Sequence, residues 1–229
     1  VNILSRHGVL VLCIPSYDLF RPWKWVLLLH ELGHAMFNSR RRVFIKEFRR
    51  RILPMLIKLA PRGVEEHVRM SLNFWERYWL KEFVSDLYGI AMGGPAYTYA
   101  FMIEVFNSAP SQYITTHPSI DSRMFVQLKY LTKFAEVREL TDDVERLWYS
   151  HRKNILAEEL GYPFSRSLLE ELVEIFASIV EPPFLNFIQK VIELKNQVDR
   201  GIVKVGNPLH LTLALTLSTN RDESTVQRG

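Results

Sequence analysis

The run His30-Glu31-Leu32-Gly33-His34 holds the residues of this chain whose types and spacing could do chemistry. Two histidines four apart stand on one face of a helix, so both imidazoles can bind one zinc ion. Glu31 lies beside them on that face, close enough to take a proton from a water on the metal. The flanks, Val26-Leu27-Leu28-Leu29 and Ala35-Met36-Phe37, are apolar and read as one buried helix with the motif inside it. A pair of satisfied core histidines would show the same two residues, so the rest of the ligand set decides between the readings.

A catalytic zinc takes three protein ligands and keeps one position open. Cys13 is the only cysteine, which excludes an internal disulfide and any multi-cysteine site, so the donors must be His, Asp or Glu. A third histidine six residues after His34 is also excluded, because position 40 is Arg. Three downstream pairs place carboxylates four apart: Glu82/Asp86, Glu139/Asp143 and Glu170/Glu174. The last two sit among other charges, as solvated helix faces do. Glu82 and Asp86 lie instead in Lys-Glu-Phe-Val-Ser-Asp-Leu-Tyr-Gly-Ile-Ala, where carboxylates are costly unless paired or metal-bound. Glu82 is the expected third ligand. Asp86, one turn on, is placed to accept the outer ring N–H of a zinc histidine, His30 first. The competing reading is an ordinary helix-face pair with Lys81 or Arg77.

The combination His-Glu-x-x-His, then Glu-x-x-x-Asp, then Thr116-His117-Pro118 with Arg123 six residues after the histidine resembles the gluzincin metallopeptidases. It is most similar to the branch that holds the bacterial membrane heat-shock protease and the CAAX prenyl proteases. The resemblance covers about residues 25–125. It implies that His30, His34 and Glu82 hold one Zn2+ per chain, with Glu31 as general base and later proton donor and Asp86 orienting a ligand. It further implies that His117 stabilises the oxyanion from across the cleft and that Arg123 ties that loop to the site or to substrate. A positioned donor is worth several kcal/mol where charge develops on a carbonyl oxygen. The competing readings are a loop-capping role for His117 and a plain salt bridge for Arg123. Two departures from the family stand out: 48 residues separate His34 from Glu82, and the chain lacks the spanning helices usual in that branch.

The elements that must position these residues read as helices. The spacing predicts helices over Trp23–Phe37, stopped at Asn38 and Ser39, and over Arg40–Leu59, broken near Pro54. Further helices are expected over Val64–Met92, onward to about Asn107, and from Ser122 to about Ala157. Gly161-Tyr-Pro163, Glu181-Pro-Pro183 and Gly206-Asn-Pro208 divide the remainder, and Val9–Ile14 suits a buried strand. The expected fold is α+β, predominantly α-helical: a gluzincin-like core over 1–135 with a small N-terminal sheet, and a helical region over 136–229 packed on it. Leu87–Phe106 is long enough to span a bilayer but contains Gly93-Gly94-Pro95, and reads as a broken helix in a core. Tyr97 and Tyr99 either line the cleft or belong to the core.

With 48% apolar and 24% charged residues the chain has globular composition, and its net charge of +4 is uneven. Residues 38–81 carry 12 cations against 4 anions, and residues 136–229 carry 11 against 15. Arg40 to Arg51 places seven cations in twelve residues, in the expected insertion at about 38–65. The readings are a solvated helix face, peripheral contact with anionic membrane, and nucleic acid. The membrane reading uses an apolar face of Val43, Phe44, Phe48, Ile52 and Leu56. Nucleic acid ranks last, since no Tyr or Trp is interleaved to stack bases. The acidic C-terminal third could also pack on this segment.

These features add up to a zinc metalloendopeptidase acting on a peptide or protein substrate. The rival is a non-catalytic or latent zinc-binding module that docks through the basic insertion. The expected location is cytoplasmic, either peripheral to the membrane or, since the chain opens on Val1, within a longer membrane-anchored protein.

Overall fold

In the computed structural model the described residues are 3–6, 9–12, 22–59, 65–105, 117–151, 164–180 and 193. They are predominantly helical. The chain forms two compact units, Val1–Pro182 and Pro183–Gly229. Among its described residues the first unit holds strands β1 (Ile3–Arg6) and β2 (Val9–Leu12) and eight α-helices. These are α1 (Pro22–Glu47), α2 (Leu53–Leu59), α3 (Glu65–Phe74), α4 (Leu80–Gly93), α5 (Pro95–Val105), α6 (Ile120–Leu131), α7 (Arg138–His151) and α8 (Arg166–Ile179). The unit thus extends past residue 135. Cys13, the 108–112 loop, the punctuation at 61–63, 161–163, 181–183 and 206–208, and the helices expected beyond 183 lie outside the described residues.

β1 and β2 pair antiparallel, with Ile3 opposite Leu12 and Arg6 opposite Val9. Among the described residues no third strand joins them. Over the described residues the α+β expectation therefore reduces to helices with a two-stranded ribbon.

The stop expected at Asn38 and Ser39 does not occur, and α1 runs on to Glu47. Ser39 satisfies its hydroxyl by donating to the Met36 carbonyl at 2.7 Å, inside the helix. Packing decides the rest. Phe37 and Phe44 are buried on either side of the expected stop with ring centroids 5.8 Å apart, and Phe44 stacks on Phe176 of α8 at 6.2 Å. Tertiary burial of such side chains, roughly 1.5–3 kcal/mol each, overrides the weak preference of two polar residues.

Phe44, Phe48, Ile52 and Leu56 recur every four residues, and all four are fully buried. A four-residue step overshoots an α-helical turn by about 40°, so such a stripe would wind off its face. A π-helical turn over Phe48–Ile52, in which Leu53 N–H bonds to Phe48 O, widens the helix and returns the stripe to the core. Pro54 lies just past that wide turn, and α2 passes through the expected break. The device recurs between α3 and α4. A π-helical turn over Trp75–Trp79, closed by Leu80 N–H to Trp75 O, keeps Trp75, Trp79, Phe83, Leu87 and Ala91 buried on one line.

α4 ends at Gly94, whose φ of 57° lies in the left-handed region that glycine tolerates, and Pro95 opens α5. Among the described residues no helix is long and apolar enough to cross a membrane. The helix expected over 122–157 is broken after Leu131. Lys133 and Phe134 donate to Tyr130 O and Leu131 O in a turn that carries no Gly or Pro to announce it. The break lets Val144 and Trp148 of α7 fold back on Phe101, Met102, Met124 and Leu128 of α5 and α6.

The apolar face of the basic segment is in the core, since Phe44, Phe48, Ile52 and Leu56 are each fully buried. Only Val43 of the residues assigned to lipid is exposed. That correction follows from the π-turn, which aims the stripe at α4 and α8 instead of at solvent. Part of the acidic chain does meet the cations: Arg51 pairs with Glu171 of α8, and Arg40 Nη1 donates to Ile179 O at 3.0 Å.

Candidate metal centre

α1 and α4 cross in backbone contact. A Cβ at Gly33 would stand 2.5 Å from the Ser85 carbonyl oxygen, so only glycine permits the approach. This contact sets His30 and His34, four apart on α1, against Glu82, Ser85 and Asp86 on one face of α4.

The expected ligands meet. Glu82, with 2% of its surface exposed, has Oε2 3.3 Å from His30 Nε2 and Oε1 3.6 Å from His34 Nε2. The two imidazoles stand edge to face with centroids 4.6 Å apart. His30, Glu31 and His34 each offer a ligand atom within 4.8 Å of the others. His117, just before α6, brings its Nε2 to 3.5 Å from Glu82 Oε2 while its side chain stays 61% exposed. Lys81 approaches Glu82 Oε1 at 3.6 Å, so the helix-face pairing exists beside the cluster.

Asp86 is fully buried and accepts four hydrogen bonds. His30 Nδ1 donates to Oδ1 at 2.8 Å, Tyr97 OH to Oδ1 at 2.7 Å, and Arg123 Nη2 and Nε to Oδ1 and Oδ2 at 2.7 Å each. Because a carboxylate only accepts, His30 Nδ1 carries the proton and its Nε2 turns to Glu82. Arg123, over the Phe101 ring at 4.8 Å, thus addresses the site through Asp86. On the other side, Ser85 Oγ lies 2.8 Å from His34 Nδ1.

The charges follow from burial and neighbours. Burial raises the carboxyl of Asp86, but Arg123 and His30 outweigh it and hold it well below the usual carboxylate range. Burial lowers the His30 imidazole, yet Asp86 wins and raises it to about 9. His34 is pushed down to about 4 by burial and by the charge on His30. Burial also opposes ionisation of Glu82, and the imidazoles around it prevail and keep its carboxyl low. Tyr97 is raised well above its ordinary value by burial and by Asp86.

The donor set fits a divalent cation. Glu82 Oε2 is buried and makes no hydrogen bond, while imidazole nitrogens stand 3.3 and 3.5 Å from it. Once His30 is neutral, a charged oxygen in such a place has no donor, which is costly unless a cation joins it. Two imidazoles and a carboxylate are donors that zinc takes.

The structure brings His30, Glu31, His34, Glu82, Asp86, His117 and Arg123 together. The sequence reading missed Ser85 and left Tyr97 between cleft and core. Ser85 stands three residues after Glu82 and beside Asp86, so the helical spacing that picked out those two could have found it. Tyr97 is a core residue whose hydroxyl reaches Asp86, and nothing local signals that. Tyr99 is exposed. Glu139 is also exposed, Asp143 pairs with Arg146, and Glu170 and Glu174 pair with Lys129 and Lys133 at 2.8 and 2.6 Å, as solvated faces do. No family model, no curated protein and no solved structure matches this chain.

Proposed function

We propose that this chain is a zinc-dependent metalloendopeptidase of gluzincin type, with His30, His34 and Glu82 as the ligands of one Zn2+. The observation that carries the reading is Glu82 Oε2, buried without a hydrogen bond and 3.3 Å from His30 Nε2, with Glu31 adjacent on α1. When bound, zinc supplies Lewis acidity, which polarises a peptide carbonyl and brings a water's pKa toward neutrality.

The chain's own residues supply the remainder. Glu31 accepts the proton of the attacking water on its carboxylate and returns it to the leaving amine. His117, exposed beside Glu82, donates to the carbonyl oxygen as charge develops there. Asp86 holds His30 in the orientation that presents Nε2, and Arg123 and Tyr97 hold Asp86.

The purified chain should bind one zinc and cleave an unfolded casein-like substrate. Glu31→Gln should keep the zinc and lose at least about 100-fold in cleavage rate. Failure of the wild-type chain to bind zinc at micromolar metal would end the proposal. The position of His117, 3.5 Å from Glu82 Oε2, favours one second reading: a latent zinc module in which that imidazole stands where substrate must enter. His117→Ala separates the two, since cleavage falls if His117 stabilises the oxyanion and rises if it blocks the site.

A further inference from the structure

We propose that Ser85 is a positioning residue for His34: its hydroxyl holds Nδ1 and so orients the imidazole with Nε2 as the nitrogen offered to the metal. This rests on the reading of His34 as a ligand and adds a role for a residue outside the ligand set. α1 offers its imidazoles at 30 and 34, and α4 answers with three side chains at 82, 85 and 86. Glu82 lies between the two Nε2 atoms at 3.3 and 3.6 Å, Asp86 takes His30 Nδ1 at 2.8 Å, and Ser85 takes His34 Nδ1 at 2.8 Å. Each imidazole is therefore held by its outer nitrogen with its inner nitrogen turned to one carboxylate.

The packing separates what position 85 needs for space from what it needs for chemistry. A Cβ at Gly33 would meet the Ser85 backbone at 2.5 to 2.9 Å, so the crossing demands a small residue at 85, and alanine would meet that demand. The hydroxyl goes beyond it. A hydroxyl with no solvent exposure is costly unless bonded, and His34 Nδ1 is at hydrogen-bond distance. A serine hydroxyl both donates and accepts, so it holds the ring by Nδ1 whichever nitrogen carries the proton. Asp86 holds His30 with a charge. Ser85 holds His34 without one, which leaves His34 the less basic donor of the two.

The test combines histidine side-chain 15N–1H NMR with metal affinity. In the zinc-loaded wild-type chain, His34 should carry its proton on Nδ1; a metal on Nδ1 would overturn the proposal and needs no variant. Ser85→Ala should shift the His34 Nδ1–H signal and weaken zinc binding, measured against a chromogenic chelator, by about 10-fold or more. Ser71→Ala, which removes another buried hydroxyl from α3, should leave both readouts unchanged. Unchanged zinc affinity and Nδ1–H signal in Ser85→Ala would reduce Ser85 to a spacer at the crossing. Zinc binding without cleavage by the wild-type chain would instead defeat the peptidase reading and leave the role of Ser85 standing.

Discussion

Arg123 holds Asp86 at both oxygens, Nε to Oδ2 and Nη2 to Oδ1, each at 2.7 Å, where the carboxylate has no exposure to solvent. The pair joins α6 to α4 directly behind the imidazole of His30. Removal of one member of such a pair leaves a buried charge uncompensated. Arg123→Met should therefore destabilise the chain by about 3–5 kcal/mol in denaturant unfolding. Arg123→Lys should recover only part of this, since an ammonium cannot serve both oxygens with the same planar fork. A loss below about 1 kcal/mol in Arg123→Met would contradict the role given to the pair.

Gly89 and Tyr97 face each other across the α4–α5 turn. A Cβ at Gly89 would stand 2.5 Å from the Tyr97 ring. Gly89→Ala should push that ring away, break its hydrogen bond to Asp86, and cost about 1–3 kcal/mol. Tyr97→Phe removes the same hydrogen bond without the clash and should cost about 0.5–1.5 kcal/mol. Thermal melts of the two variants give the comparison. Equal losses would mean that the ring does not move.

The two site histidines should respond to pH in opposite senses. His30 is raised to about 9, so its protonated pair with Asp86 stabilises the metal-free fold fully below pH 6.5, and that stability is lost as pH rises through 9. His34 is lowered to about 4, so stability falls as pH drops from 6.5 toward 4, where only the unfolded imidazole takes a proton. Metal binding needs both Nε2 lone pairs. Between pH 7 and 9 it must expel the His30 proton, and apparent affinity should rise about tenfold per pH unit. Calorimetry in two buffers of different ionisation enthalpy should report about one proton released per metal at pH 7.5. No proton release would rule out the charged His30–Asp86 pair.

Any attraction of Arg40–Arg51 to anionic vesicles should be electrostatic alone, because Phe44, Phe48, Ile52 and Leu56 are in the core. Flotation at low salt should therefore disappear at about 1 M salt, where charges are screened within about 3 Å. Binding that survives that salt would mean that the apolar stripe leaves the core.

The candidate site was legible in the sequence to an unusual extent because its parts are carried by helical spacing. His30 and His34 four apart, and Glu82 and Asp86 four apart in an apolar run, each define a helix face without knowledge of the fold. The single cysteine narrowed the donors to those residues. Helix ends were less legible. Asn38-Ser39 and Pro54 are local stop signals that lost to a buried stripe of phenylalanine, isoleucine and leucine. The turn after Leu131 has no local signal at all.

What the sequence by itself determined is therefore the inventory and the faces: which side chains are chemical, and which of them share one side of a helix. Only the tertiary structure decided how the two faces meet. The backbone contact of Gly33 with Ser85 sets the distance between α1 and α4, and the two π-helical turns set their rotation about their own axes. The packing of α5 and α6 on those helices adds the partners that spacing cannot supply: Arg123 and Tyr97 on Asp86, and His117 beside Glu82. The physical reason is that periodicity is a property of one helix, whereas a hydrogen bond between helices depends on a crossing that the whole core has to agree on.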